Sequence, residues 1–315
     1  MTTSSPALGT TGTPEGQPAA KHRVTPPAAE HGGKAPKLAH GQANWAVRIF
    51  LAVLCVVWLI PLVGLLVTSF RDPNDANTTG WWTVFTHPFS GWTAANYSEV
   101  LQGTMGPAFV NSFVLTVPAT IIPILIAAFA AYAFTFMKFP GRDFLFILIV
   151  GLLVVPNQVA LVPLLQIYAD AGLVGTFFSV WLAHTGFGMP LAIFILRGYM
   201  QTLPRSIIES ASVDGAGHFT TFWRLIVPMS IPALAAFAIF QFLWVWNDLL
   251  VAKLFLGSGE NESVTIALQS LLGTQGQGWQ LITAGAFITM SVPLLVFIGL
   301  QRFFVRGLTA GSVKG

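Results

Sequence analysis

The sequence predicts an all-α integral membrane protein with six transmembrane helices, on three observations. The first is composition: 9% of the residues are charged and 54% are hydrophobic, with mean hydropathy +0.70, whereas an average soluble domain carries about 25% charge. A chain so poor in charge requires a solvent that accepts apolar surface, and that solvent is a bilayer. The second is a set of six long uncharged runs, and the third is the confinement of Lys and Arg to alternate junctions between them.

Taken in order, residues 1–44 are rich in Pro, Gly, Ala and Thr and hold no Phe, Trp or Tyr. Such a segment buries too little apolar area to offset chain entropy, so it is expected to be a disordered cytoplasmic tail ahead of a membrane domain over 45–315. The uncharged runs are Ile49–Phe70, Pro107–Met137, Phe144–Ala169, Ala171–Leu196, Leu225–Asn247 and Leu281–Leu300. At 1.5 Å per residue, roughly 20 apolar residues cross a hydrocarbon core ~30 Å thick. Helices are therefore expected at about 49–70, 107–137, 144–169, 175–196, 225–247 and 281–301, with only Asp170, Gly172 and Gly175 separating the third from the fourth. Prolines interrupt several runs, among them Pro118, Pro123, Pro156 and Pro293. In a bundle, neighbouring helices can take up the carbonyls that proline frees, which leaves open simple kinks or kinks that shape an internal cavity.

Orientation follows from the basic residues. With the N-terminus inside, Lys21, Arg23, Lys34, Lys37, Arg48, Lys138, Arg142, Arg197, Arg205, Arg224, Arg302, Arg306 and Lys314 are cytoplasmic, and Arg71 and Lys253 are external. The 13-to-2 split predicts both termini inside.

Several function classes are excluded. A net charge of +3 on so few charges does not indicate nucleic-acid binding. The single cysteine, Cys55, rules out a disulfide framework and a Cys-based zinc site. The histidines share no ligand spacing on one helix face, so no metal site is expected. No G-x-x-x-x-G-K-[ST] phosphate loop and no H-E-x-x-H motif occur, so no catalytic residues and no cofactor are expected on this chain.

Two junctions are longer than a turn needs, the external 71–106 and the cytoplasmic 198–224. The second reads as an elbow of two short helices. Pro204 suits a first helical position; Ile207, Ile208 and Ala211 make an apolar face; Asp214-Gly215 is a turn signal, with Gly215 free to take φ > 0. Ala216–Trp223 then forms a second short helix that enters the membrane at Arg224.

The stretch from Glu209 to Ala216, followed by Phe222-Trp-Arg-Leu-Ile-Val-Pro228, resembles the EAA loop of ATP-binding-cassette importer permeases, with Ser210 and Leu225 where alanine and isoleucine are usual. The resemblance extends from the first helix onward, through Asn111-Ser112, Ala130-Ala-Tyr-Ala133, Phe139-Pro-Gly-Arg142, Gly172-Leu173, Trp246-Asn247-Asp248 and the tail Gly307–Gly315, and is nearest the smaller, maltose-type carbohydrate permeases. It implies a translocation subunit of the cytoplasmic membrane, not an enzyme, working by alternating access. It implies as partners a second homologous permease, a dimer of cytoplasmic subunits that bind ATP and Mg, an extracytoplasmic solute-binding protein docking on 71–106 and 251–280, and lipid. By position, Glu209, Ala211, Asp214 and Gly215 would be the ATPase-coupling residues. Permeases for amino acids, phosphate compounds or peptides are the alternative, and a secondary transporter is disfavoured because Asp248 is the single intramembrane acid.

Sugars are bound by hydroxyl-matched hydrogen bonds and aromatic stacking. Trp244, Asn247 and Asp248 fall on one helix face at i, i+3, i+4 and are candidates for the substrate path. Asn157 and Gln158 either line that path or join helices through a polar bond. His184 is expected to be a satisfied bundle histidine and His218 a solvated one.

Overall fold

Apolar length decides which helices form, and proline decides where they bend. The computed structural model describes residues 45–88, 91–271 and 278–309, of which 302–309 by backbone only. The tail expected over 1–44 and the last residues of the C-terminal motif, 310–315, lie outside that set. In order, the helices are α1 (Trp45–Ser69), α2 (Pro73–Thr78), α3 (Ala95–Gln102), α4 (Met105–Phe136), α5 (Arg142–Gly151), α6 (Asn157–Asp170), α7 (Phe177–Met200), α8 (Arg205–Val213), α9 (His218–Thr221), α10 (Val227–Trp246), α11 (Leu250–Leu256), α12 (Val264–Ser270) and α13 (Trp279–Thr309). No strand is formed among the described residues. The chain divides into two compact units, 1–55 and 56–315; of the first, the described part is Trp45–Cys55, the exposed opening turns of α1.

Five stretches are long and apolar enough to cross a membrane: Trp45–Ser69, Met105–Phe136, Phe177–Met200, His218–Trp246 and Trp279–Gln301. The third expected helix, 144–169, is not one rod. A 3-10 turn at Leu152–Val154 follows α5, and α6 departs at 99°. Pro156 is the cause. It has no N–H to continue the helix, and its ring holds Val155 in extended backbone, φ −75° and ψ 120°. The bent pair brings the possible spans to six among the described residues.

A second departure lies at the entry to α10. The short helix expected over Ala216–Trp223 is instead continuous with the next span, through a π-turn at Phe222–Ile226. Pro228 supplies no N–H to the carbonyl of Arg224, and the amide of Val227 bonds Phe222 O, one residue further back than in an α-helix.

The centre of the second unit is the packing of α4, α7 and α10. Their buried faces hold small residues, including Ala119, Ala127, Ala128 and Ala131 on α4, Ala183 and Ala192 on α7, and Ser230 and Ala233 on α10. Lipid supplies no hydrophobic force between helices, so association rests on close approach and polar bonds. A Cβ added to Gly188 on α7 would lie 2.8 Å from Gln241 Oε1 on α10. One apolar cluster, with Tyr132, Ile193, Leu196, Phe222 and Phe237, sits at the end of the bundle that carries α8 and α9. Two others, around Phe255 and around Met105 and Trp246, sit at the opposite end, where α3, α11 and α12 lie.

Three of the prolines inside these helices free a carbonyl that a side chain from another helix then takes up. Pro118 frees Val114 O, which accepts from Trp181 Nε1 at 3.2 Å. Pro123 frees Ala119 O, which accepts from Gln241 Nε2 at 3.2 Å. Pro293 frees Thr289 O, which accepts from Trp246 Nε1 at 3.1 Å. The kinks are thus joints between α4 and α7, α4 and α10, and α10 and α13. An unsatisfied buried carbonyl costs about 1–3 kcal/mol. Gln241→Leu is expected to destabilise the protein by about that much. Adding Pro123→Ala, which returns an N–H to Ala119 O, is expected to restore part of the loss. Thermal unfolding of the detergent-purified variants checks this; equal melting temperatures for the single and double variants would refute the pairing.

Candidate functional site

The residues expected at the site come together in two places, one at each end of the α4–α7–α10 core. The first is the elbow. Pro204 caps α8 from outside the helix, with ψ 124°, one residue earlier than a first helical position. The other end closes as the Asp-Gly signal predicts: Gly215 takes φ +78°, its amide bonds Ser212 O at 3.1 Å, and the amide of Ala216 bonds Ala211 O at 2.9 Å. These are the two bonds of a Schellman stop. Glu209 and Asp214 are exposed on the elbow, while Ala211 is buried. No Cβ clash surrounds Gly215, so its requirement is backbone conformation alone. His218, expected to be solvated, is exposed but bonded: its Nδ1 lies 3.0 Å from Tyr132 Oη, tying α9 to α4.

The second place is a cavity of about 440 Å³ lined by Asn157, Gln158, Trp244, Asn247 and Asp248 together with Phe187. All five candidates for the substrate path therefore face one space. They meet because two helices end there. Pro156 starts α6 at Asn157, and α10 stops at Trp246. A second cavity of about 460 Å³ shares Asn157, Phe187 and Trp244 and reaches Gln241 and Gly188.

Asp248 is a node in this wall. Its Oδ1 accepts from Val251 N at 3.0 Å, satisfying an N–H at the start of α11. Its carbonyl accepts from Thr265 Oγ1 on α12 at 2.9 Å. Its Oδ2 lies 3.1 Å from Nε2 of His184, close enough for an ion pair although the direction misses hydrogen-bond alignment. His184 is fully buried, and its ring meets Trp244 edge-on with centroids 5.2 Å apart. Sequence reasoning passed over Gln241 and did not pair His184 with Asp248. One signal was present for Gln241: it precedes Trp244 and Asp248 at i, i+3 and i+7, on the same helix face. Nothing in the sequence pairs residues of α7 and α10.

At the same end, Asn111 and Ser112 hold the segment after α11. Asn111 Nδ2 donates to Glu260 O at 2.7 Å and to Glu262 O at 3.2 Å. Ser112 Oγ accepts from Val264 N at 2.7 Å, an amide at the start of α12. Burial pushes the Glu262 carboxyl above the ordinary carboxylate range. Across the bundle end, Arg71 is buried and donates to Thr79 O at 3.0 Å and Thr83 Oγ1 at 3.2 Å, organising the 72–85 turns without a carboxylate. Asn96 donates to Ser69 O and Arg71 O, both at 2.9 Å.

No group of three potential metal ligands exists among the described residues. Residues 43–310 match the family described as the binding-protein-dependent transport system inner membrane component. The chain belongs to this family. The permease is 56% identical to the osmoprotective compounds uptake permease protein GgtD of Synechocystis sp., over 85% of this chain and 91% of that one. It is 41% identical to the alpha-glucoside transport system permease protein AglG of Rhizobium meliloti, over 86% and 97%. It shares a fold with a chain in the crystal structure of a bacterial ABC transporter involved in the import of the acidic polysaccharide alginate. That match has TM-score 0.64 and 18% identity, and covers 84% of this chain and 98% of that one. As a family member the permease is a multi-pass inner-membrane subunit of a binding-protein-dependent transporter rather than a catalytic subunit.

Ser112→Ala removes the acceptor of the Val264 amide. It is expected to raise that amide's hydrogen-exchange rate about fivefold, as loss of a bond worth ~1 kcal/mol gives. Unchanged exchange at Val264 would rule out the tie between α4 and α12.

Proposed function

We propose that this permease is one of two transmembrane subunits of an ABC importer and translocates a sugar or oligosaccharide by alternating access. The observation that carries the substrate class is the common cavity of Asn157, Gln158, Trp244 and Asn247. Neutral amides donate to and accept from hydroxyls, and an indole face stacks on a pyranose ring. The 41% identical alpha-glucoside permease supports the same class. The 56% identical relative favours a second reading, a small osmoprotective solute; a neutral, polyhydroxylated compound satisfies both.

The chain crosses six times, counting α5 and α6 as one bent span, with both termini cytoplasmic as the 13-to-2 division of basic residues requires. The elbow end then faces the cytoplasm, and α3, α11 and α12 face outward. A 1–44 tail precedes the membrane domain. Separate ATP-binding subunits carry ATP and Mg and receive the elbow. Glu209 is the charged contact, Asp214 flanks the turn, Gly215 sets it, and Ala211 lets α8 lie close to its own bundle. The outer segments around 71–106 and 251–280 receive the solute-binding protein. Two access states a few kcal/mol apart are each favoured by one partner, which is the condition for a partner to shift the population.

Glu209→Ala and Gly215→Val are expected to abolish ATP-driven uptake in vesicles while membrane insertion stays normal, the second because the left-handed backbone at Gly215 costs a β-branched residue about 1–2 kcal/mol. Normal uptake by both variants would overturn the coupling role. Co-purification with a solute-binding protein, followed by a ligand thermal-shift panel, tests the substrate. A chain that purifies alone and transports without an ATPase would defeat the reading.

A further inference from the structure

A small cavity of about 190 Å³ at the elbow end remains unassigned by the transport reading. It is lined by Arg142, Arg197 and Arg205, with Thr135, Gln201 and Phe136 among its neighbours. Three guanidiniums on three separate elements, α5, α7 and α8, converge on one space. Like charges placed together repel unless an anion lies between them, and the local acids do not neutralise the set. Asp143 pairs only with Arg142, at 3.0 Å. Glu209 lies one turn along α8 from Arg205 with no ion pair between them.

Arg197 is partly buried at the end of α7. Its Cζ lies 3.8 Å from the Phe146 ring centroid, a cation–π contact that fixes the guanidinium plane. Its Nε is buried and has no hydrogen-bond partner. A guanidinium offers a planar fork of donors suited to phosphate oxygens, and here part of that fork is unused. Gln201 adds a further donor beside it.

The flank of the cavity is apolar. From Arg142 onward α5 presents Phe144, Ile147 and Leu148, each more than half exposed. Lys138 joins Arg142 on an adjoining cavity. Charge at the surface with an exposed apolar strip running into the membrane is the pattern of a phospholipid site, a phosphate held by arginine and acyl chains lying along a helix.

We propose that Arg142, Arg197 and Arg205 form a phosphate-binding pocket that holds the head group of an anionic phospholipid, with its acyl chains along α5. The lipid joins the start of the elbow helix α8 to the ends of α4 and α7. The recognised chemistry is a phosphate oxyanion; the apolar strip identifies a lipid as its source.

The test uses the full chain in its assembled complex, in nanodiscs of phosphatidylcholine with or without phosphatidylglycerol, and reads retained phosphatidylglycerol by native mass spectrometry. Transport is not needed for this readout, so it stands whatever the solute. Wild type is expected to retain phosphatidylglycerol. Arg197→Gln and Arg205→Gln are each expected to retain about fivefold less, the loss that one basic residue at an anionic surface gives. Arg205 is exposed, so its variant keeps the test valid if Arg197→Gln fails to assemble. Equal retention by wild type and Arg205→Gln overturns the proposal. So does displacement of the lipid by inorganic phosphate at equal concentration, which would mark a free-anion site.

Discussion

Inside a bilayer a freed backbone carbonyl has no water to turn to, and the architecture of this protein depends on how it answers that constraint. Pro118, Pro123 and Pro293 each break an intrahelical bond, and Trp181, Gln241 and Trp246 each replace it from another helix. The bonds are reciprocal in effect. A kinked helix gains its missing partner, and the donor helix gains a fixed register against it. Small residues make this possible, since alanine faces on α4 and α7 allow the approach that a polar bond needs. Gln241 reaches Ala119 O because Gly188 leaves it room.

The same residues carry the functional geometry. Gln241 joins α4 to α10 and also borders the cavity that Trp244 and Asn157 line. Asp248 lines the neighbouring cavity of Gln158 and Asn247 while holding α11 through Val251 N and α12 through Thr265. The cavity wall and the α11–α12 segment therefore share one residue. A displacement of α11 and α12 is transmitted to the wall without an intervening loop. At the opposite end, the π-turn makes α9 continuous with α10, and the His218–Tyr132 bond ties α9 to α4. A push on the elbow is then a push on the long axis of a core helix.

Much of this was legible in the sequence because hydrophobicity and charge are local. Uncharged runs mark the spans; Asp214-Gly215 marks a turn whose φ of +78° follows from glycine. The family resemblance and the grouping of polar residues at the end of α10 also survive inspection of individual positions. What was not legible is relational. The uncharged run 144–169 looks like one helix because no charge interrupts it, yet Pro156 bends it by 99°. That proline is one of many in the sequence, and only packing decides which becomes a break and which a kink. The pairing of His184 with Asp248 joins residues 64 positions apart, and the three donor–carbonyl ties are likewise tertiary.

The break at Val155–Pro156 has a mechanical consequence. Asn157 and Gln158 open α6, whose Leu161 and Tyr168 are buried in one apolar cluster with Leu115 and Ala119 of α4 and Val180 of α7. A change of angle at that joint would carry both amides together and would have to move Leu161 against α4 and α7. The wall that carries the two amides is thus set by the angle of one joint together with the packing of Leu161 behind it, and the space it borders cannot change width without the core taking part.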